Sequence, residues 1–408
     1  MLLCLSMTRR KRPSIARQIV LYTGLFAFAI GLGVLLFFGI SKIGANTHHY
    51  KPPTTTSTST PKATTTPVIP PTSQPTWPKP LDKEEYDERL LSLAHYTPPT
   101  PITATTTNPD GTISTTTKTI SDLVHASGTN VTVDGALYPP AAPYPHGGAI
   151  LPFQRIIAYY GNLYSTRMGI LGEYEPEEVL AHLRDNVKAW EAADPNTPVM
   201  PAIHYIAMVA QADAGADGMY RAMMPDSEIE KAYNMAQEID GILFLDLQVG
   251  LSTIERELPK IKAFLERPDV HLGIDPEFSM KSGDPPGTVI GTYDAKDINY
   301  VINYLSDIVR EHELPPKVLV IHRFTQKMVT KYQDIRPTPE VQVVMHMDGW
   351  GSRPKKRGTY NHILAPEPVQ FTGVKIFYKN DLKPPSTGIF TPDEVLELDP
   401  KPVYIQYQ

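Results

Sequence analysis

The stretch Val270-His271-Leu272-Gly273-Ile274-Asp275-Pro276-Glu277-Phe278 decides the fold. It reads as a buried strand running into two carboxylates. Side chains alternate along a strand, so Gly273, Asp275 and Glu277 are expected on one face and Val270, Leu272 and Ile274 on the other. Burying two acids is costly without a compensating purpose. The C-terminal end of a parallel strand is also where an α/β barrel carries its reactive groups.

The flanking chain supports a barrel. From Arg155 onward, strand-like and helix-like segments alternate. The expected strands are 155–161, 199–208, 242–249, 270–278, 318–324, 341–348, 374–378 and 403–407. Helical periodicity falls between them, with Val179, Leu180, Leu183, Val187 and Trp190 on one face of 176–193 and Ile298, Val301, Ile302, Leu305 and Ile308 on one face of 295–314. Ser252 is placed to cap a helix carrying Ile254, Leu258, Ile261 and Leu265, and Thr391-Pro392-Asp393-Glu394 opens the last one. Eight strands with helical crossovers in residues 151–408 fit a (β/α)8 TIM-type barrel. An open doubly wound sheet is the alternative, weakened because no Gly-rich phosphate loop follows any strand. The chain stops at the eighth strand, so the piece at 82–150 is positioned to cover the gap or plug the barrel bottom.

The N-terminal part differs in composition. Arg9, Arg10, Lys11, Arg12 and Arg17 precede an uncharged apolar run at 19–40, long enough to cross a bilayer as a helix. Basic residues before it place residues 1–18 in the cytoplasm and the rest outside the cell membrane. A cleaved signal peptide is the rival, with Lys42-Ile43-Gly44-Ala45-Asn46 a poor cleavage site. Residues 41–81 are rich in Thr, Ser and Pro, the composition of an extended, solvated stalk. The Thr-rich segments around Asn108-Pro109-Asp110-Gly111 read either as a β-hairpin or as more linker. The single cysteine, Cys4, precedes the apolar run, so the exported part has no disulfide and must rely on its core. Net charge is -6, with no basic excess to attract nucleic acid.

Polar residues recur at the expected strand ends: Tyr160 on the first, His204 on the second, Asp246 and Gln248 on the third, Asp275 and Glu277 on the fourth, His322 on the fifth, His346 and Asp348 on the sixth, Lys375 and Tyr378 on the seventh and Gln406 on the eighth. Singly, His204 or His322 is as readily a hydrogen-bonded core histidine, Asp246 a loop cap and Lys375 a solvated lysine. Jointly, buried ionisable groups at this density mark a site. Aromatic residues such as Tyr160, Trp350 and Tyr378 accompany the acids. Sugar rings stack on aromatics while their hydroxyls need carboxylate and amide partners, so the mixture suggests a carbohydrate cleft; aromatics filling a core are the plain alternative.

Three short motifs carry a family resemblance. Arg155-Ile156-Ile157-Ala158-Tyr159-Tyr160-Gly161-Asn162 resembles the first strand of family 18 glycoside hydrolases, the chitinase-like barrels. Asp275-Pro276-Glu277 is similar to the end of that family's fourth-strand motif, and Met345-His346-Met347-Asp348 to its sixth-strand Met-x-Tyr-Asp. The resemblance implies Glu277 as general acid and Asp275 as the group orienting a substrate acetamido group. The earlier acid positions of the fourth-strand motif are Val270 and Gly273 here, the sixth-strand Tyr is Met347, and Tyr404 or Gln406 stands where a Trp is expected.

The leading expectation is therefore a membrane-anchored extracellular glycoside hydrolase, needing no cofactor. Glu277 donates the proton and Asp275 or Asp348 assists across the bond, while Tyr160, His204, Asp246, Gln248, His322, His346, Trp350, Tyr378 and Gln406 contact the substrate. A barrel that binds glycan without cutting it is the alternative. A metal-dependent hydrolase using His204, Asp246, His322, His346 or Asp348 is the third, disfavoured because those residues have no compact ligand spacing in sequence.

Overall fold

The computed structural model describes residues 79–95, 103–107, 112–117 and 138–408. All fall in one compact unit, Thr76–Gln408. Among the described residues, no helix is long and apolar enough to cross a membrane. The apolar run at 19–40 and residues 41–78 of the expected stalk at 41–81 lie outside them.

Eight parallel strands close into a barrel: β1 Arg155–Gly161, β2 Val199–Ala210, β3 Ile242–Leu247, β4 Val270–Ile274, β5 Lys317–Arg323, β6 Val341–Met347, β7 Phe371–Ile376 and β8 Tyr404–Tyr407. Each pairs with the next, and β8 returns to β1 through Tyr404 opposite Ile156 and Tyr407 opposite Tyr159. A short antiparallel strand, Arg221–Met223, extends the end of β2. Thr103–Thr107 and Ile113–Thr117 pair as an antiparallel hairpin.

The crossovers follow the apolar stripes. Helix α1 is Lys83–Leu93, α2 Pro176–Ala193, α3 Asp226–Gln237 and α4 Ala295–Glu311. In α4 the buried set includes Ile298, Val301, Ile302, Leu305 and Ile308, spaced three and four apart. Asp294 and Asp297 form its capping box. The crossover after β3 is not the single helix its apolar spacing suggests. Thr253 rather than Ser252 caps it, and it runs as Ile254–Glu257, a 3-10 turn over Leu258–Ile261, and Lys262–Leu265. Pro259 removes a backbone donor in mid-course.

Two apolar layers enclose the barrel wall. Outward-facing residues such as Ile157, Ile203, Leu245 and Ile321 pack against the helices. Inward-facing residues at the strand starts, including Ile156, Phe244, Val318 and Val344, pack with Tyr86, Leu90 and Leu93 of α1 and with Tyr138 and Leu151. Helix α1, Tyr138 and Leu151 thus close the N-terminal end of the barrel. What remains of the interior, towards the C-terminal strand ends, is polar.

Candidate active site

Alternation carries one side of each strand inwards, and near the C-terminal ends that side is charged. Register sets neighbours: Tyr160 lies beside His204, Asp246 beside Gly273, and His346 beside both His322 and Gly373. The glycines make the crowding tolerable. A Cβ on Gly273 would stand 2.4 Å from His204 Nε2 and 2.6 Å from Asp246 Oδ1, and one on Gly373 2.9 Å from His346 Cδ2.

Asp246 is wholly enclosed at the centre of this layer. Its Oδ2 accepts a 2.7 Å bond from the Tyr160 hydroxyl. Its Oδ1 faces His322 Nε2 at 3.6 Å and His204 Nε2 at 3.8 Å. Burial favours its neutral form, but the two imidazoles, His322 foremost, override this and hold it well below the usual carboxylate range. Burial likewise opposes charge on His322. Asp246 and Asp348, the latter 3.0 Å from His322 Nδ1, reverse that and push His322 up to about 10. His204 has fewer carboxylates beside it. Burial wins there and lowers it to about 4.

Asp348 sits higher in the mouth and keeps some exposure. Lys375 reaches its Oδ1 at 3.1 Å. Against the effect of burial, Lys375 and His322 hold Asp348 ionised, well below its ordinary value. Lys375 is itself buried and its ammonium lies 3.8 Å from the centre of the Tyr160 ring, so this lysine is a structural cation of the site rather than a solvated side chain.

Strand β4 stops at Ile274, which corrects the expected geometry of the acids. Pro276 cannot continue the ladder. The Asp275 carboxylate accepts the Glu277 backbone N–H at 3.0 Å and caps a 3-10 turn, Pro276–Phe278. Asp275 and Glu277 are therefore not alternate residues of one strand face. Asp275 is buried, Glu277 half-buried. Desolvation, opposed by His322 and reinforced by Asp246 and Asp348, raises Asp275 to about 7. Desolvation together with Asp275 and Asp348 raises Glu277 to about 8. Gln248 spans the gap between the two halves of the site. Its Nε2 lies 3.5 Å from both Tyr160 Oη and Asp275 Oδ2.

The fold thus brings together Glu277, Asp275, Asp348, Tyr160, Asp246, Gln248 and His322. His204, His346 and Gln406 belong to the enclosed layer below, packed around Tyr404: His204 Nδ1 lies 2.5 Å from its hydroxyl, Gln406 Nε2 2.9 Å from the same oxygen, and His346 stacks edge-on. From there they support the mouth and do not line it. Tyr378 is misplaced by the sequence reading. It follows β7 on the outward side, where its hydroxyl meets Tyr159 at 3.1 Å and Asn186 of α2 at 2.6 Å. Trp350, in the loop after β6, is 49% exposed, with Lys355 and Lys383 ammonium groups 4.7 and 5.4 Å from its ring. Gly273 was not among the expected site residues, and Lys375 was expected at the end of the seventh strand with a solvated lysine as its plain reading. The inward register shared by Gly373 and Lys375 was the available signal for the lysine.

Histidines and carboxylates are also the donors a metal needs. His204, Asp246 and His322 each bring one ligand atom within 4.8 Å of the others.

No protein-family model matches the chain, and no curated protein matches it. Solved structures similar to it include Cel5A of Thermotoga maritima in complex with cellobiose, at 9% identity and a TM-score of 0.35 over 63% of this chain and 88% of that one. A hyperthermophilic endo-β-1,4-glucanase matches at 7% identity and a TM-score of 0.35, over 63% and 89%. The mannanase man26 of Bacillus subtilis matches at 12% identity and a TM-score of 0.35, over 62% and 80%. These neighbours are glycoside hydrolase barrels outside family 18. Likeness at this level fixes neither a family nor an activity for this chain.

Proposed function

We propose that the barrel is a glycoside hydrolase whose proton donor is Glu277. The observation that carries this is the separation of carboxyl chemistry across one mouth. Glu277 is half-buried and raised to about 8, so it holds its proton at neutral pH. Asp348, paired with Lys375 and His322, stays ionised. Glycosidic cleavage needs one carboxylic acid to protonate the leaving oxygen and one carboxylate to act at the sugar carbon, and environments that drive two carboxyls apart assign those roles. Asp275 accepts the Glu277 backbone N–H and so positions the donor. Gln248 and Tyr160 supply hydrogen-bonding groups of the kind sugar hydroxyls require. The charged span at 9–17 followed by the apolar run at 19–40 supports a membrane-anchored protein with this domain outside the cell, acting on a surface or environmental polysaccharide.

The pH dependence follows in sign. Glu277 is competent while protonated, so kcat/KM is expected to hold through neutrality and to fall about tenfold per unit above its pKa of about 8. A profile in which activity instead rises as pH climbs past 8 would make Glu277 a base and reverse the assignment.

A further inference from the structure

Three polar atoms in the barrel interior converge on one another and bond to nothing. They are His204 Nε2, Asp246 Oδ1 and His322 Nε2, each fully buried and without a hydrogen-bond partner. The nitrogens stand 3.8 and 3.6 Å from the oxygen, beyond hydrogen-bond length. Buried polar atoms in folded proteins are almost always paired, and three left open at one point require a cause.

The other polar atom of each side chain is anchored. His322 Nδ1 lies 3.0 Å from Asp348 Oδ2, His204 Nδ1 2.5 Å from the Tyr404 hydroxyl, and Asp246 Oδ2 takes the Tyr160 hydroxyl at 2.7 Å. With Nδ1 of His322 donating to Asp348 and Nδ1 of His204 to the Tyr404 hydroxyl, each Nε2 would present a lone pair to the common centre once an ion displaces the second proton of His322; Gln406 Nε2 also lies 3.0 Å from His204 Nδ1. Ligating histidines are held this way: one nitrogen on the metal, the other on a carboxylate or oxygen that fixes tautomer and ring orientation. Gly273 adds an independent observation. It lies in register with Asp246, and any Cβ there would fall 2.4 Å from His204 Nε2 and 2.6 Å from Asp246 Oδ1. Gly273 leaves open the point of convergence that a side chain there would fill.

We infer that the barrel interior holds one divalent first-row transition ion, ligated by His204 Nε2, Asp246 Oδ1 and His322 Nε2. Two imidazoles and one carboxylate suit zinc, iron(II), cobalt or manganese, and not calcium, which takes oxygen ligands. Three protein ligands leave a coordination position for a water. Ligands from β2, β3 and β5 would tie three strands together at the level of the site. This inference concerns occupancy and stands apart from the glycosidase proposal, since neither Glu277 nor turnover enters it.

The test uses the full-length chain, stripped with a chelator and titrated with zinc alone. One zinc per chain is expected to survive desalting, with X-ray absorption showing imidazole scattering and nitrogen or oxygen ligands at about 2.0–2.1 Å. Asp246→Asn and His322→Gln are expected to weaken zinc binding at least about 100-fold, and Tyr404→Phe, which removes the hydroxyl that meets both His204 Nδ1 and Gln406 Nε2, by about 10- to 100-fold. Circular dichroism checks that the variants fold; should they not, the wild-type spectrum decides alone. Wild-type protein that retains no zinc, a spectrum without imidazole scattering, or folded variants that bind zinc as tightly as wild type would each overturn the inference and leave a proton on His322 as what joins Asp246 to Asp348.

Discussion

Glu277→Gln is expected to reduce turnover of a cleavable glycan by at least about 10²-fold while leaving its affinity nearly unchanged. Glutamine keeps the size and hydrogen-bonding reach of the side chain and loses only the transferable proton. The backbone N–H of residue 277 still caps onto Asp275, so the 3-10 turn after β4 is retained. Stability separates a chemical loss from a folding loss. A carboxyl raised from its ordinary value to about 8 binds its proton more tightly in the folded state. Its contribution to stability is full at low pH and is lost as pH rises through that value. Replacing it by a neutral amide should therefore leave the thermal midpoint unchanged or higher above neutrality. Asp275→Asn should also slow turnover, with part of the loss appearing in KM, because Asp275 positions the donor's backbone. If Glu277→Gln turned over substrate at the wild-type rate, the acid would lie elsewhere. Asp275, raised to about 7 beside it, would then be the next candidate, since Asp348 stays ionised and Asp246 is wholly enclosed.

The largest expected effect on stability belongs to Trp190. Its side chain has no exposure, its indole N–H donates to Tyr407 at 2.9 Å, and the Arg155 guanidinium lies 5.3 Å from its ring. It joins α2 to β1 and β8, across the seam where the barrel closes. Trp190→Ala is expected to cost about 3–5 kcal/mol, the range for deleting a buried aromatic side chain. The loss should be read as a lower denaturant midpoint at unchanged slope. Trp190→Phe keeps most of the volume but strands the Tyr407 hydroxyl, so it should fall between the two. A midpoint shift for Trp190→Ala within the range of a surface substitution would mean that the α2 interface contributes little to the closed barrel.

Much of the barrel was legible because parallel strands covered on both faces are near-continuous apolar runs separated by helix-period segments. Each of β1 to β8 overlaps its expected range. The misses have local causes. β7 begins at Phe371 rather than Val374, because Phe371-Thr372-Gly373 breaks the apolar run without breaking the pairing. The apolar spacing of residues 254–265 reads as one helix, but Pro259 interrupts it.

The site was legible only by strand. Alternation indicated that Asp246, His322 and Asp348 share the interior, but not that His322 would stand between the two acids. Closeness across strands depends on barrel register, which a list of strands does not carry. The same limit hid the convergence on which the inferred metal site rests. His204, Asp246 and His322 are dispersed in sequence and lack any compact spacing, yet β2, β3 and β5 bring their ligand atoms within 4.8 Å. Tyr378 failed for the opposite reason. It shares the parity of Val374 and Ile376, which face outward, and it joined the Tyr159–Asn186 group against α2.

The most direct measurement is the appearance of new reducing ends when the wild-type protein is incubated with those oligosaccharides, drawn from a broad glycan panel, that it is first shown to bind. Continuous release at neutral pH by wild-type protein, abolished in folded Glu277→Gln protein that still binds the same glycan, is the expected result. Binding without release of reducing ends by the wild-type protein would contradict the account and make the barrel a carbohydrate-binding module.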